Sequence, residues 1–305
     1  MINLFQFNKD FYSSIIIIIF FYILSLSFFY FNLDPNGGAY LDYLNQKRIS
    51  QQFAENFYYN FINFDKETTR HSPTLLILLS IFERFDISDY TIRLFFFHFC
   101  FVLPIIFFKI LDYKYTGLPK KKKILLSLVI LLSPTYISLS IWPDSRIYGV
   151  IFFTLAIYYF LKFSRERNNI NLYLCILSYA ISSYLSLNFV LLSFFFISKF
   201  IIVFKNNKKK LIELFVVNSI LAFPAIFYTL TLDTIFFFKS GIGGKSFDIL
   251  QSLNFSNKFL IISSIVYFYF IPFFFANISK IKIFELKKFV ISCLIVLITY
   301  LFFSY

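Results

Sequence analysis

Residues 13–32 read SSIIIIIFFYILSLSFFYFN, a run with no charged side chain. An α-helix rises about 1.5 Å per residue, so such a run matches the ~30 Å hydrocarbon core of a bilayer. The rest of the chain repeats the theme. Of its 305 residues, 59% are hydrophobic, 24% aromatic and only 15% charged, and the mean hydropathy is +0.73. A soluble domain holds roughly a quarter charged residues and less than half apolar ones. One soluble core cannot hide this excess, and a disordered chain lacks it. Three cysteines and one methionine exclude a disulfide scaffold and a Met-rich copper site. The composition specifies an all-α, polytopic transmembrane helical bundle lying in the cell membrane, with residues 1–305 as a single membrane domain.

Nine runs approach the length of a span: 13–32, 91–111, 123–141, 147–163, 170–185, 187–204, 211–230, 258–277 and 286–304. A tenth run, TLLILLSIFE at 74–83, is too short and is expected to lie flat on the membrane surface. The lysines test this choice. Net charge is +13, from 29 Lys and Arg against 16 Asp and Glu. The basic residues cluster in the loops at 112–122, 164–169, 205–210 and 278–285. With nine spans and a cytoplasmic N-terminus all four clusters fall inside, as the positive-inside rule requires. Counting 74–83 as a span would move them all outside. The basic total is therefore a topology signal and gives no support to nucleic-acid binding.

This topology makes 33–90 a long outer loop with surface-lying helices, and 231–257 a second outer loop. The first opens LDPNGGAYLDYLNQK, a turn directly after span one. Within 43–61, Leu44, Phe53, Phe57 and Phe61 recur at helical spacing, which predicts an amphipathic surface helix. Asp34 and Asp42 are acids held at the membrane face, where a carboxylate can act as a general base. A plainer reading stands beside this one: Asp34 caps a turn and Asp42 is solvated. On the residues alone, the plainer reading carries more weight. After span three comes SPTYISLSIWPDSRIYG, residues 133–149. There Arg146 offers a fork for a phosphate oxygen, close to Asp144. Trp142 and Tyr148, taken alone, read more readily as interfacial aromatics than as site residues. His98 falls inside span two, and either a functional role or a bond to a neighbouring helix accounts for it.

The order of these pieces resembles the membrane glycosyltransferases of the GT-C fold, the group that includes protein O-mannosyltransferases and lipid A aminoarabinose transferases. The shared pieces are Asp34 near a Gly-Gly-x-Tyr turn ending in Tyr40, a His-x-Pro segment at His71 followed by a short apolar helix, Arg93 opening the next span, and a Ser-Pro…Arg-x-Tyr segment at 133–148. The likeness covers roughly residues 10–205. The family's Asp-Glu pair is absent, and Ser72 stands inside its His-Pro-Pro.

The resemblance implies transfer of a sugar from a polyprenyl-phosphate carrier to a glycan, lipid or protein acceptor on the outer face of the membrane. It implies Asp34 as the base with Asp42 as competitor, and a substrate-binding set of Tyr40, His71, Arg93, Asp144, Arg146 and Tyr148. No cofactor or zinc site is expected, and a loosely held divalent cation at Asp34 or Asp42 stays open. The alternatives are a polymerase or ligase of surface polysaccharide, a transporter or flippase of lipid-linked glycans, and a non-catalytic assembly partner. A transporter would place ionisable groups in mid-bilayer, whereas here they gather at the outer ends of the spans.

Overall fold

The computed structural model describes residues 2–35, 37–67 and 72–231, together with Ile291. Among these residues the regular structure is helical throughout, with no strand. In chain order the helices are α1 (Ile2–Tyr30), α2 (Ala39–Glu55), α3 (Phe57–Ile62), α4 (Pro73–Arg84), α5 (Asp89–Cys100), α6 (Val102–Lys114), α7 (Lys120–Leu128), α8 (Pro134–Ile141), α9 (Ser145–Glu166), α10 (Asn169–Leu185), α11 (Asn188–Phe204) and α12 (Lys208–Thr231).

By length and composition, three of the described stretches are able to cross a membrane: Phe11–Tyr30, the nearly continuous α5–α6 unit Asp89–Lys114, and α9. A fourth, Lys120–Leu132 with Pro134–Ile141, is bent by 69°. Three or four is well short of the nine spans expected, two of which, 258–277 and 286–304, lie outside the described residues. The expected straight span at 123–141 is broken by Pro134, which biases the residue before it away from helix; Ser133 is extended, with φ −66° and ψ 127°. Helices α10 and α11 have 17 residues each, about 26 Å of rise at 1.5 Å per residue, so they fall just short. Counting apolar residues reveals neither a bend nor a short helix.

Helix starts follow local chemistry. Ser72 with Pro73 begins α4, Ser88 caps α5, Asp144 caps α9 and Asn168 caps α10, each side chain accepting a backbone N–H. Helix α2 begins after Gly37 (φ 63°) and Gly38 (φ 140°), conformations that favour glycine. The amphipathic helix expected over 43–61 is divided at Asn56, whose Oδ1 accepts from the Tyr59 N–H and starts α3. The buried face of α2 carries Tyr43, Gln46, Ile49 and Phe53, whereas Leu44 and Phe57 are exposed. Helix α4, the short run at 74–83, packs on α2 through Leu75, Leu76 and Leu79. Leu78 and Ile81 remain exposed, as suits a helix lying against lipid.

Three apolar clusters organise the packing. The largest joins α1, α5, α6, α8 and α9 through residues such as Phe29, Phe97, Leu103, Ile141 and Tyr148. A second joins α9 to α12 through Phe163, Ile176 and Phe196. A small third cluster, Ile49, Phe53, Phe64, Leu76 and Tyr228, lies under α2–α4. Helix α9 takes in the Phe189 ring at the start of α11 because Gly149 has no side chain. A Cβ there would meet the Phe189 ring at 2.7 Å, and the Gly149 carbonyl accepts from Ser182 Oγ at 2.7 Å. Small residues and hydroxyls serve this purpose between apolar helices.

Tyr184, at the end of α10, binds in two directions. Its carbonyl accepts from the Ser72 and Thr74 hydroxyls at the start of α4. Its hydroxyl donates to the Leu221 carbonyl at 2.5 Å and accepts from the Ala225 N–H at 3.2 Å. Within a helix those two backbone groups would ordinarily bond each other. The phenol bridges these two backbone groups of α12 beside Pro224.

Candidate functional site

The site is built where the 33–90 segment meets the ends of α1, α5 and α8. Asp34 follows the end of α1. Its Oδ2 accepts from the Gly38 N–H at 2.9 Å and the Tyr40 N–H at 3.1 Å, while Oδ1 is buried beside Ser138. Burial by itself would raise the pKa of this carboxyl. The backbone N–H groups of Gly38 and Tyr40, the Ser138 hydroxyl and the Ala39 N–H outweigh it and hold the pKa below the ordinary aspartate value. Asp34 is therefore a cap that aims the start of α2.

Arg93, one turn into α5, is the pillar of the site. Its Nε donates to the Ile141 carbonyl at 3.1 Å and its Nη2 to Asn32 Oδ1 at 2.6 Å. The guanidinium lies 3.7 Å from the centre of the Trp142 ring and 5.3 Å from that of Phe29. With 7% of its surface exposed, Arg93 fixes α1, α5 and the α8–α9 loop relative to one another. Tyr40 covers Trp142, with ring centres 4.6 Å apart, and Tyr43 approaches it at 5.9 Å. Tyr43 then donates its hydroxyl to Asp89 Oδ1 at 2.5 Å, and Lys47 donates to the same oxygen at 3.0 Å. Burial first, and Asp89 second, push the Tyr43 phenol far above its usual pKa, so it remains a donor.

These residues enclose an open cleft of about 550 Å³, lined by Asn32, Asp34, Tyr40, Tyr43, Leu44, Lys47, Asp89, Arg93 and Trp142. Carboxylates, an amide, an ammonium and an aromatic face around a space of this size suit a small polar ligand.

Three expected residues form a separate cluster. Arg146 donates through Nε to Asp144 Oδ1 at 2.8 Å and through Nη2 to Asp144 Oδ2 at 2.7 Å, and Nη2 also reaches Asp42 Oδ2 at 3.0 Å. The face of the guanidinium that matches a phosphate is thus filled by Asp144, whose side chain is 2% exposed. Asp42 ties α2 to α9 through this contact and does not line the cleft. Tyr148, expected among the substrate contacts, is buried in the helical core, with its ring against Phe96 and Phe99. His71 lies outside the described residues. His98, in α5, bonds the Leu94 carbonyl at 2.7 Å and the Tyr22 hydroxyl at 3.0 Å, the helix-to-helix contact that was one of its two readings.

Of the expected site residues, Asp34, Tyr40 and Arg93 therefore share the cleft, while Asp42, Asp144 and Arg146 share a neighbouring salt-bridge cluster. Sequence reading missed Tyr43, Lys47 and Asp89. The signal was present: Tyr43 and Lys47 are four apart in α2, and Asp89 and Arg93 four apart in α5, so each pair lies on one helix face. Among the described residues no group of three or more His, Cys, Asp or Glu is placed to hold a metal ion. A second cavity of about 420 Å³ lies among α4, α10, α11 and α12, with mainly apolar walls that include Ile77, Leu187, Val190, Ile197 and Leu221.

No family model, no curated protein and no solved structure matches this chain.

Proposed function

We propose that this chain is an integral membrane glycosyltransferase that moves a sugar from a polyprenyl-phosphate carrier to a glycan, lipid or protein acceptor on the outer face of the membrane. The observation that carries the reading is the cleft itself, which gathers two carboxylates, two cations and an aromatic surface at the ends of apolar helices. A polyprenyl chain stays in the bilayer, so its phosphate and sugar are presented where lipid meets water. Apolar space such as the 420 Å³ cavity suits hydrocarbon.

In this reading a carboxylate of the 33–90 loop accepts the proton of the acceptor hydroxyl. The acceptor oxygen forms a bond to the anomeric carbon as the bond from that carbon to the phosphate oxygen breaks, and the electron pair leaves with the polyprenyl phosphate. Cations fixed at the cleft stabilise the developing negative charge. Tyr40 offers a half-exposed ring on which a sugar can rest.

The test is deletion of the gene in its source organism, with mass profiling of surface glycans and lipid-linked sugars. Loss of one sugar from the glycans with accumulation of its polyprenyl-phosphate donor is the expected result. An unchanged profile would reject the proposal.

A further inference from the structure

We infer that Asp89 is the carboxylate that accepts the proton of the attacking hydroxyl, and that Lys47 is coupled to it as the cation facing the departing phosphate. This deepens the glycosyl-transfer reading and rests on it.

The inference comes from comparing the four aspartates near the cleft. Asp144 is buried and grips Arg146 through both oxygens. Asp42 is bonded to Arg146 and does not line the cleft. Asp34 lines it, but its Oδ2 already takes two backbone N–H bonds and its Oδ1 is buried. Removing Asp34 from that duty would undo the start of α2. Asp89 differs on each count. It lines the cleft and its side chain is 37% exposed. Its two bonds, from Tyr43 and Lys47, fall on the single oxygen Oδ1, which fixes the carboxylate's orientation. Oδ2 receives no hydrogen bond among the described residues and is not among the buried polar atoms. A base needs such an oxygen, held still and open to the substrate.

The second half follows from charge. Arg93 is locked between Trp142, Ile141 and Asn32, and the fork of Arg146 is filled. Lys47 has three N–H donors and spends one on Asp89. When Asp89 Oδ2 takes the hydroxyl proton, the carboxyl becomes neutral and its attraction for the ammonium falls. The positive charge of Lys47 is released to the cleft as negative charge grows on the leaving phosphate. The proton later passes from Asp89 to water, and the pair is restored.

The experiment expresses wild type, D89N, D89E, D34N, K47M and K47R at matched membrane levels in the deletion strain, reading sugar transfer and donor accumulation. D89N is expected to slow transfer by about 10²–10⁴-fold, the usual worth of a general base, with donor accumulating. D89E is expected to recover part of the rate, K47R more of it than K47M, and D34N to retain more transfer than D89N. Transfer by D89N at the wild-type rate would overturn the assignment while leaving glycosyl transfer standing. An unchanged profile on deletion of the whole chain would overturn both. If D89N fails to reach the membrane, labelling of the wild-type protein with a water-soluble carbodiimide and glycine methyl ester decides the matter. Asp89 is expected to be modified ahead of Asp34 and Asp144, and an unmodified Asp89 would refute the claim of an open oxygen.

Discussion

Replacing Arg146 with methionine tests the neighbouring cluster most directly. Methionine keeps much of the apolar stem but removes the guanidinium, and Asp144 is left as a carboxylate with 2% of its side chain exposed. Breaking one side of a buried pair of this kind costs about 3–5 kcal/mol, because the remaining charge stays out of water. The Asp42 arm is different. Its 3.0 Å contact joins side chains 32% and 39% exposed, so Asp42→Asn is expected to cost under about 1 kcal/mol. Asp144→Asn in the Arg146→Met background removes the stranded charge and keeps an oxygen to cap α9. The double variant is therefore expected to be more stable than Arg146→Met alone. The assay is equilibrium unfolding in mixed micelles followed by tryptophan fluorescence. The chain has one tryptophan, Trp142, two residues from Asp144, so the signal originates beside the perturbation. A difference of 3 kcal/mol is roughly a hundredfold in the folding constant. Equal losses for Arg146→Met and Asp42→Asn, or a double variant no better than Arg146→Met, would refute the argument.

Three further outcomes are expected. Asp34→Ala should cost about 0.5–2 kcal/mol through loss of the acceptor for the Gly38 and Tyr40 N–H groups, read as increased proteolysis around 36–45. Because the folded pKa of Asp34 lies below its unfolded value, its stabilisation is present above the unfolded pKa and fades as pH falls through the folded one; the Ala variant should lose that part of the acid dependence. Gly149→Ala should destabilise by about 1–3 kcal/mol in the same unfolding assay, since the new methyl meets the Phe189 ring and Ser186 Cβ. Tyr184→Phe should cost about 1–3 kcal/mol, as the Leu221 carbonyl and Ala225 N–H lose their shared partner, and Pro224→Ala should recover part of it by letting the α12 ladder close.

The helical, membrane-directed class was legible from composition, and the starts of α4, α5, α9 and α10 carry an N-cap residue. Ser72, Ser88, Asp144 and Asn168 stand where an N-cap rule places them. The number of spans was not legible, because run length ignores the 69° bend at Pro134 and the short reach of α10 and α11. At the site, the resemblance named Asp34, Tyr40 and Arg93, which line one cleft. Arg93, expected among the substrate contacts, lines the cleft and stacks on Trp142, an aromatic that reads as a membrane anchor until its neighbours are known. Lys47 and Asp89 stand 42 positions apart, and the spacing that puts each on a helix face does not say that the two faces meet. Tyr148, a motif position with an attractive hydroxyl, is buried in the core by the register of α9.

The bridging phenol of Tyr184 has a consequence for exchange with deuterated solvent. An amide within a helix ordinarily reports whether its own helix is intact. The Ala225 amide is bonded to a side chain of another helix, so its protection records whether α10 and α12 are together. A ligand that pries these helices apart would speed exchange at Ala225 while leaving the first turns of α12 unchanged. One backbone hydrogen thereby becomes a gauge of contact between two helices, legible without any knowledge of the substrate.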